Sequence, residues 1–152
     1  MKRIGVIADT HGLARPEAAT LFAGVDLILH AGDVGGSEVL DALRRIAPVY
    51  AVRGNTDQGD WCADLPLVTL VPVDGARLCL LHNAAELAFD PAAAGVSAVI
   101  HGHSHRAEER TAGGVFYFNP GSAGPRRWQN APSVGRLFVT DGRGTGEILL
   151  LP

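Results

Sequence analysis

Apolar runs of strand length alternate with helix-patterned stretches through the first third of the chain. Residues 2–8 form a short apolar run with β-branched members, closed by the polar cluster Asp9-Thr10-His11, and read as a buried strand. Pro16 opens a helix over 17–23, with proline in the first turn and Gly24 as the stop. Residues 25–30 read as the second strand. Ser37 is placed to cap a helix over 38–46, and residues 48–52 form a third strand running into Arg53-Gly54-Asn55. This order of strand, helix, strand, helix, strand predicts parallel strands joined by crossover helices. The strands end in Asp9-Thr10-His11, Gly32-Asp33 and Gly54-Asn55-Thr56-Asp57. In open α/β sheets, the carboxyl ends of strands are where sites are built.

The second half has a different rhythm. Residues 67–73 and 76–82 flank Asp74-Gly75, a strong hairpin signal. The Ala-rich stretch 84–94 reads as helical, with Pro91 near its end, and 97–100 as a strand. Gly113-Gly114 joins two further apolar runs. Residues 134–140 and 147–151 form a terminal pair across Asp141-Gly142-Arg143-Gly144. The pattern predicts antiparallel pairing for this half. With no internal repeat, low-complexity tract or linker, residues 1–152 are expected to form one domain.

Composition narrows the class. Of 152 residues, 47% are hydrophobic and 19% charged, a globular balance. The formal net charge of -3 lacks the basic excess of a nucleic-acid coat or membrane-surface binder, so neither partner is expected. No apolar run approaches the roughly 20 residues of a membrane helix. The amino-terminal run breaks at Asp9, short of a signal-peptide core of about 7–15 residues, so a cytoplasmic location is expected. Cys62 and Cys79 have neither redox nor zinc-site spacing, and Cys79 sits in an apolar run as a small buried residue.

The six histidines, His11, His30, His82, His101, His103 and His105, all follow or end a predicted strand. A lone histidine is more often structural than functional. Six of them at strand ends beside Asp9, Asp33 and Asn55 favour the opposite ordering. Imidazole nitrogen with carboxylate oxygen suits borderline divalent ions such as Mn, Fe, Zn, Co and Ni. Asp9 and His11 are two apart, as are His103 and His105, so on extended segments each pair would point one way. Ions bound there would make the cluster electropositive and suited to an anionic substrate.

The ordered blocks Asp9-Thr10-His11, Gly32-Asp33, Gly54-Asn55, His82 and Gly102-His103-Ser104-His105 resemble the signature of the calcineurin-like metallophosphoesterases. The tail Asn119-Pro120-Gly121-Ser122-Ala123-Gly124-Pro125-Arg126 is similar to that of the small YfcE-type branch of bacteria and archaea. The resemblance implies an α/β fold in which two mixed sheets face each other, with helices outside: an αββα sandwich. It implies two divalent metal ions, Mn being the expected activator. One would be held by Asp9, His11, Asp33 and His105, the other by Asp33, Asn55, His82 and His103, with Asp33 bridging. It further implies hydrolysis of a small phosphate ester by a hydroxide shared between the metals, with phosphodiesters as the leading substrate class. A phosphomonoesterase, or a non-catalytic scaffold such as the retromer subunit of this fold, is the alternative.

Two positions depart from the family pattern. Many members have histidine after the Gly-Asn pair, where it protonates the leaving group; here Thr56 and Asp57 stand instead. Asp57 is therefore a candidate to position or protonate the leaving group, with a metal-bound water as the rival donor. Asparagine rather than glycine comes after His82. Asn55 and His103 are further catalytic candidates, Asn55 for stabilising phosphoryl charge and His103 for orientation, although ligation is the expected role of His103.

His30 is expected to pack behind Asp33 or hydrogen-bond a ligand from behind. His101 is expected on the opposite strand face from the ligands, with substrate contact as the alternative. Arg53 fits a structural ion pair or an anionic substrate equally. Arg126 and Arg127 read as surface charges, with a substrate or interface role as the alternative. Trp61 and Trp128 fit a core or a subunit interface, which leaves a homo-oligomer open.

Overall fold

The computed structural model describes residues 1–127 and 131–152. Trp128 lies outside these. The first five elements follow the alternation of the sequence: β1 (Lys2–Ile7), α1 (Glu17–Leu21), β2 (Leu27–His30), α2 (Ser37–Arg44) and β3 (Val49–Ala51). The three strands pair in parallel, with Ile4 opposite Leu27 and Ile28 opposite Val49. β4 (Val68–Val73), β5 (Ala76–Leu81), β6 (Ala98–Ile100), β7 (Glu108–Ala112), β8 (Val115–Asn119), β9 (Ser133–Thr140) and β10 (Arg143–Leu150) complete the chain.

These strands form two five-stranded mixed sheets, ordered β10-β9-β1-β2-β3 and β4-β5-β6-β8-β7. The second half is therefore not simply antiparallel. Its hairpins are, at β4/β5, β7/β8 and β9/β10, but β6 pairs in parallel with both β5 and β8. Turn chemistry is local and readable, whereas β6 finds its neighbours through long-range burial. The terminal hairpin joins the first sheet, with β9 antiparallel to β1. Both hairpin turns read from sequence have the left-handed geometry that Asp-Gly tolerates, with φ of 43° and 81° at Asp74 and Gly75 and of 49° and 83° at Asp141 and Gly142.

Alternation along the strands sorts the side chains into three apolar layers. Ile4, Val6 and Leu29 of the first sheet meet Leu78, Leu80, Ile100 and Phe118 of the second in the central core. The opposite face of the first sheet packs Ile7, Ile28 and Ala51 beneath Phe22 and the α2 residues Val39, Leu40 and Leu43. The outer face of the second sheet presents Cys79, Leu81 and Val99 to Val96 and Leu87. The facing-sheet architecture is as expected, but among the described residues α-helices cover only the first sheet.

The helix expected over 84–94 does not form. A short 3-10 turn over Ala84–Glu86 is capped by the Asn83 side chain, which accepts from the Ala85 amide, and Leu87 is already extended. Asp90 bonds the Ala92 amide, and Pro91 steers the residue before it away from helix. These polar side chains offer the backbone local partners that compete with the helical ladder. Likewise, Ser37 is the first residue of α2 rather than its cap. Gly36 takes the cap position without a side-chain bond. Cys62 and Cys79 are both buried and unpaired.

Candidate metal centre

The parallel strands of both sheets end at one rim. Loop backbones there continue the strand pairing: Asp9 N donates to Gly32 O at 3.0 Å, His11 N to Asp33 O at 3.0 Å, and Gly102 N to His82 O at 2.9 Å. Within this frame, Asp9, His11, Asp33, His103 and His105 all have positive φ, between 45° and 73°. The Asp9–His11 and His103–His105 segments are thus not extended, and two-residue alternation is not what aims their side chains. Left-handed loop turns do so, at a local backbone cost that the surrounding hydrogen bonds offset.

Each central carboxylate has one oxygen fixed by a backbone amide and the other turned inward. Asp9 Oδ2 accepts from His103 N at 3.1 Å, while Oδ1 lies 3.5 Å from His105 Nε2 and 3.8 Å from His82 Nε2. Asp33 Oδ1 accepts from Thr56 N at 2.9 Å, while Oδ2 lies 3.2 Å from His82 Nε2 and 3.8 Å from His11 Nε2. The cage accordingly resolves into two donor groups, Asp9/His11/His105 and Asp9/Asp33/His82, each with ligand atoms within 4.8 Å of one another. Asp33 Oδ2 lies between His82 of one group and His11 of the other. Asp9 also reaches both groups, a sharing that the sequence did not suggest. His103 stands against His82 with ring centroids 5.1 Å apart, and Asn55 lines the same two cavities as His103.

Space for this convergence comes from glycines. A Cβ at Gly54 would lie 2.1 Å from Asp33 Oδ1, and one at Gly102 would lie 2.9 Å from Asp9 Oδ2.

The donor set fits divalent cations. His82 Nδ1 donates to Ala31 O at 2.8 Å, which leaves Nε2 as the free nitrogen aimed at two carboxylates. Among the described residues, His82 Nε2 and Asp9 Oδ1 are buried without a hydrogen-bond partner. A nitrogen lone pair facing two anionic oxygens is stable only with a positive charge between them, either a proton or a metal ion. Electrostatics point the same way. Burial pushes the Asp9 carboxyl up to about 7, opposed by His82 and assisted by Asp33. Burial also acts against ionised Asp33, but the adjoining His82 imidazole and the hydrogen bond from the Thr56 amide outweigh it and bring that carboxyl below the usual range. For His82, burial is overcome by Asp33 and the Ala31 carbonyl, so its imidazole is raised. Burial, the largest cause, lowers His11 and His105. Lowered imidazoles are neutral near pH 7, as ligation requires.

His30 lies behind the cage. The Gly32 amide donates to its Nδ1 at 3.1 Å, so Nε2 carries the proton and donates to Thr10 Oγ1 at 2.9 Å; that hydroxyl in turn donates to Val34 O at 2.7 Å. Full burial pushes His30 down to about 3, consistent with this neutral tautomer. His101 points away from the cage, its ring 6.5 Å from that of Tyr117. Asp57 is buried with both oxygens on loop amides: Oδ2 accepts from Val34 N and Gly54 N, and Oδ1 from Gly35 N. Arg53 borders the cavity beside His82 and Asn55. Trp61 packs on the core beneath α2.

Among the described residues, no helix is long and apolar enough to cross a membrane. The family model of the calcineurin-like phosphoesterase superfamily domain matches residues 1–142. A probable metallophosphoesterase of Methanothermobacter thermautotrophicus is 33% identical over 158 residues, covering 96% of this chain and 91% of the relative. Among solved structures, an archaeal phosphodiesterase superimposes with a TM-score of 0.80 at 22% identity, covering 97% of this chain and 99% of its own. The E. coli phosphoesterase YfcE gives 0.69 at 27%, covering 90% and 88%. Vps29 of Chaetomium thermophilum gives 0.79 at 22%, covering 99% and 97%.

Proposed function

The chain belongs to the calcineurin-like phosphoesterase superfamily, and on that premise we propose that it is a phosphodiesterase dependent on two divalent metal ions. The observation that carries the reading is the pair of amide-pinned carboxylates whose inward oxygens share the unpartnered His82 Nε2. One ion would be held by Asp9, His11, Asp33 and His105, and the other by Asp33, Asn55, His82 and His103. Bound there, the ions would acidify a shared water and neutralise phosphoryl oxygens. Mn2+ is the ion expected to support activity.

The chain's own groups supply orientation. Asp33 Oδ2 sits between His11 and His82, which supports a role shared between the two ions. The Ala31 carbonyl holds the His82 tautomer, and Asn55, which lines the mouth, would offer its amide to a phosphoryl oxygen. Cavities of about 380 and 240 Å3 meet at Asn55 and His103. A phosphoryl group seated at that junction has room for a substituent on either side, which favours a diester over a monoester. Asp57, with its oxygens committed to loop amides, holds the loops rather than donating a proton. Protonation of the leaving group then falls to water, and rate should depend steeply on leaving-group pKa.

The test is hydrolysis of bis- and mono-p-nitrophenyl phosphate with Mn2+ added, using Asp33→Asn and His103→Ala as controls. The expected outcome is faster diester turnover, abolished by both changes. Activity that survives both would remove the two-metal assignment. Metal uptake without turnover of either ester would favour the scaffold alternative.

A further inference from the structure

The segment after β8 is strapped to the cage. The Asn119 side-chain amide donates to Gly102 O and Ser104 Oγ, both at 3.1 Å. Ser122 Oγ donates to Asp9 O at 3.2 Å, and Ala123 N to Ala8 O at 3.0 Å. Gly124 lies so close that a Cβ would fall 2.3 Å from Asp9 O. From the other side, Arg15 clamps the same turn, its Nε on Ala123 O at 3.0 Å and its terminal nitrogen on Gly124 O at 2.9 Å. A segment tied down at so many points delivers the next few residues to a defined place. Among them is Arg127, an exposed side chain lining the 240 Å3 cavity with His11, Asp33, Asn55, His103 and His105. Its positive charge is felt at Asp9, His11 and His105.

Building on the phosphoesterase reading, we infer that Arg127 is a substrate-contacting residue, its guanidinium binding the unesterified oxygens of the phosphate held at the cage mouth. A cation at the open side of a cage filled with metal ions faces no anionic wall of its own, because the carboxylates are then neutralised. The fixed fork of arginine matches two phosphate oxygens, and charge-assisted bonds of this kind are among the strong ones. Arg126, equally exposed, does not line this cavity.

The full Mn2+-loaded chain, with Arg127→Ala and Arg127→Lys beside wild type, tests this. Inorganic phosphate affinity is read by calorimetry, kcat and KM on bis-p-nitrophenyl phosphate, and bound Mn by elemental analysis. Arg127→Ala should weaken phosphate binding and lower kcat/KM by about 10- to 100-fold, with lysine recovering part of the loss and Mn content equal to wild type. Unchanged phosphate affinity would overturn the inference, as would loss of Mn in Arg127→Ala, which would make Arg127 a support for the cage. If wild type fails to turn over the diester, the phosphodiesterase reading falls, and the phosphate-binding comparison still decides the role of Arg127.

Discussion

Replacing Asp57 by alanine would strip the acceptor from three loop amides at once. Two of them, from Val34 and Gly54, belong to buried residues and bond Oδ2 at 3.2 and 2.9 Å; the third, from exposed Gly35, bonds Oδ1 at 2.9 Å. Water can replace the carboxylate at Gly35 but not readily at the other two. Hydrogen bonds to a charged group contribute about 1.5–3 kcal/mol each, so losing the two buried ones should cost about 3–6 kcal/mol. Asparagine keeps one acceptor and turns its NH2 toward an amide donor, costing about 1–3 kcal/mol. At about 2–4 °C per kcal/mol for a domain of this size, the alanine variant should melt on the order of 10 °C lower. The assay is urea unfolding of the metal-free proteins at pH 7, reading midpoint and slope, followed by Mn2+ titration. Because Asp57 links the Asp33 loop to Gly54, metal affinity should fall with stability. The reasoning fails if Asp57→Ala unfolds within about 1 kcal/mol of wild type, with an unchanged slope, while its diester turnover collapses. That result would make Asp57 a proton donor and not a clamp.

Gly54→Ala should lose Mn2+ uptake in calorimetry, since its Cβ would enter the space of Asp33 at 2.1 Å from Oδ1 and 2.2 Å from N; wild-type uptake would show that the loop yields. In metal-free protein, the Asp9 carboxyl is raised from 3.8 to about 7, so the folded state holds a proton that the unfolded chain releases. The stability it contributes is full below about pH 3.8 and is lost as pH rises through about 7. Metal-free Asp9→Asn should therefore gain on wild type across that window, by on the order of a few kcal/mol. A pH-independent difference between their melting curves would refute the raised carboxyl.

The local sequence carried the donor chemistry and its order. Aspartates, histidines and Asn55 at the polar ends of apolar runs mark a rim of candidate metal ligands whatever the loops do, and Asp74-Gly75 and Asp141-Gly142 name their own turns because their demand for positive φ is met within two residues. The same local reading failed over 84–94, where alanine content suggested a helix that Asn83, Asp90 and Pro91 undo. Direction was decided only in three dimensions. Which oxygen of Asp9 enters the cage depends on the His103 amide, 94 residues away, and the aim of the ligands comes from left-handed turns held by bonds between loops. Asp57 meets three loop amides, and Arg127 lines the cavity, for the same reason. Residue type fixes what a group can bond, but its partner is set by which loops the two sheets bring to one rim, and that depends on burial summed over the whole sandwich.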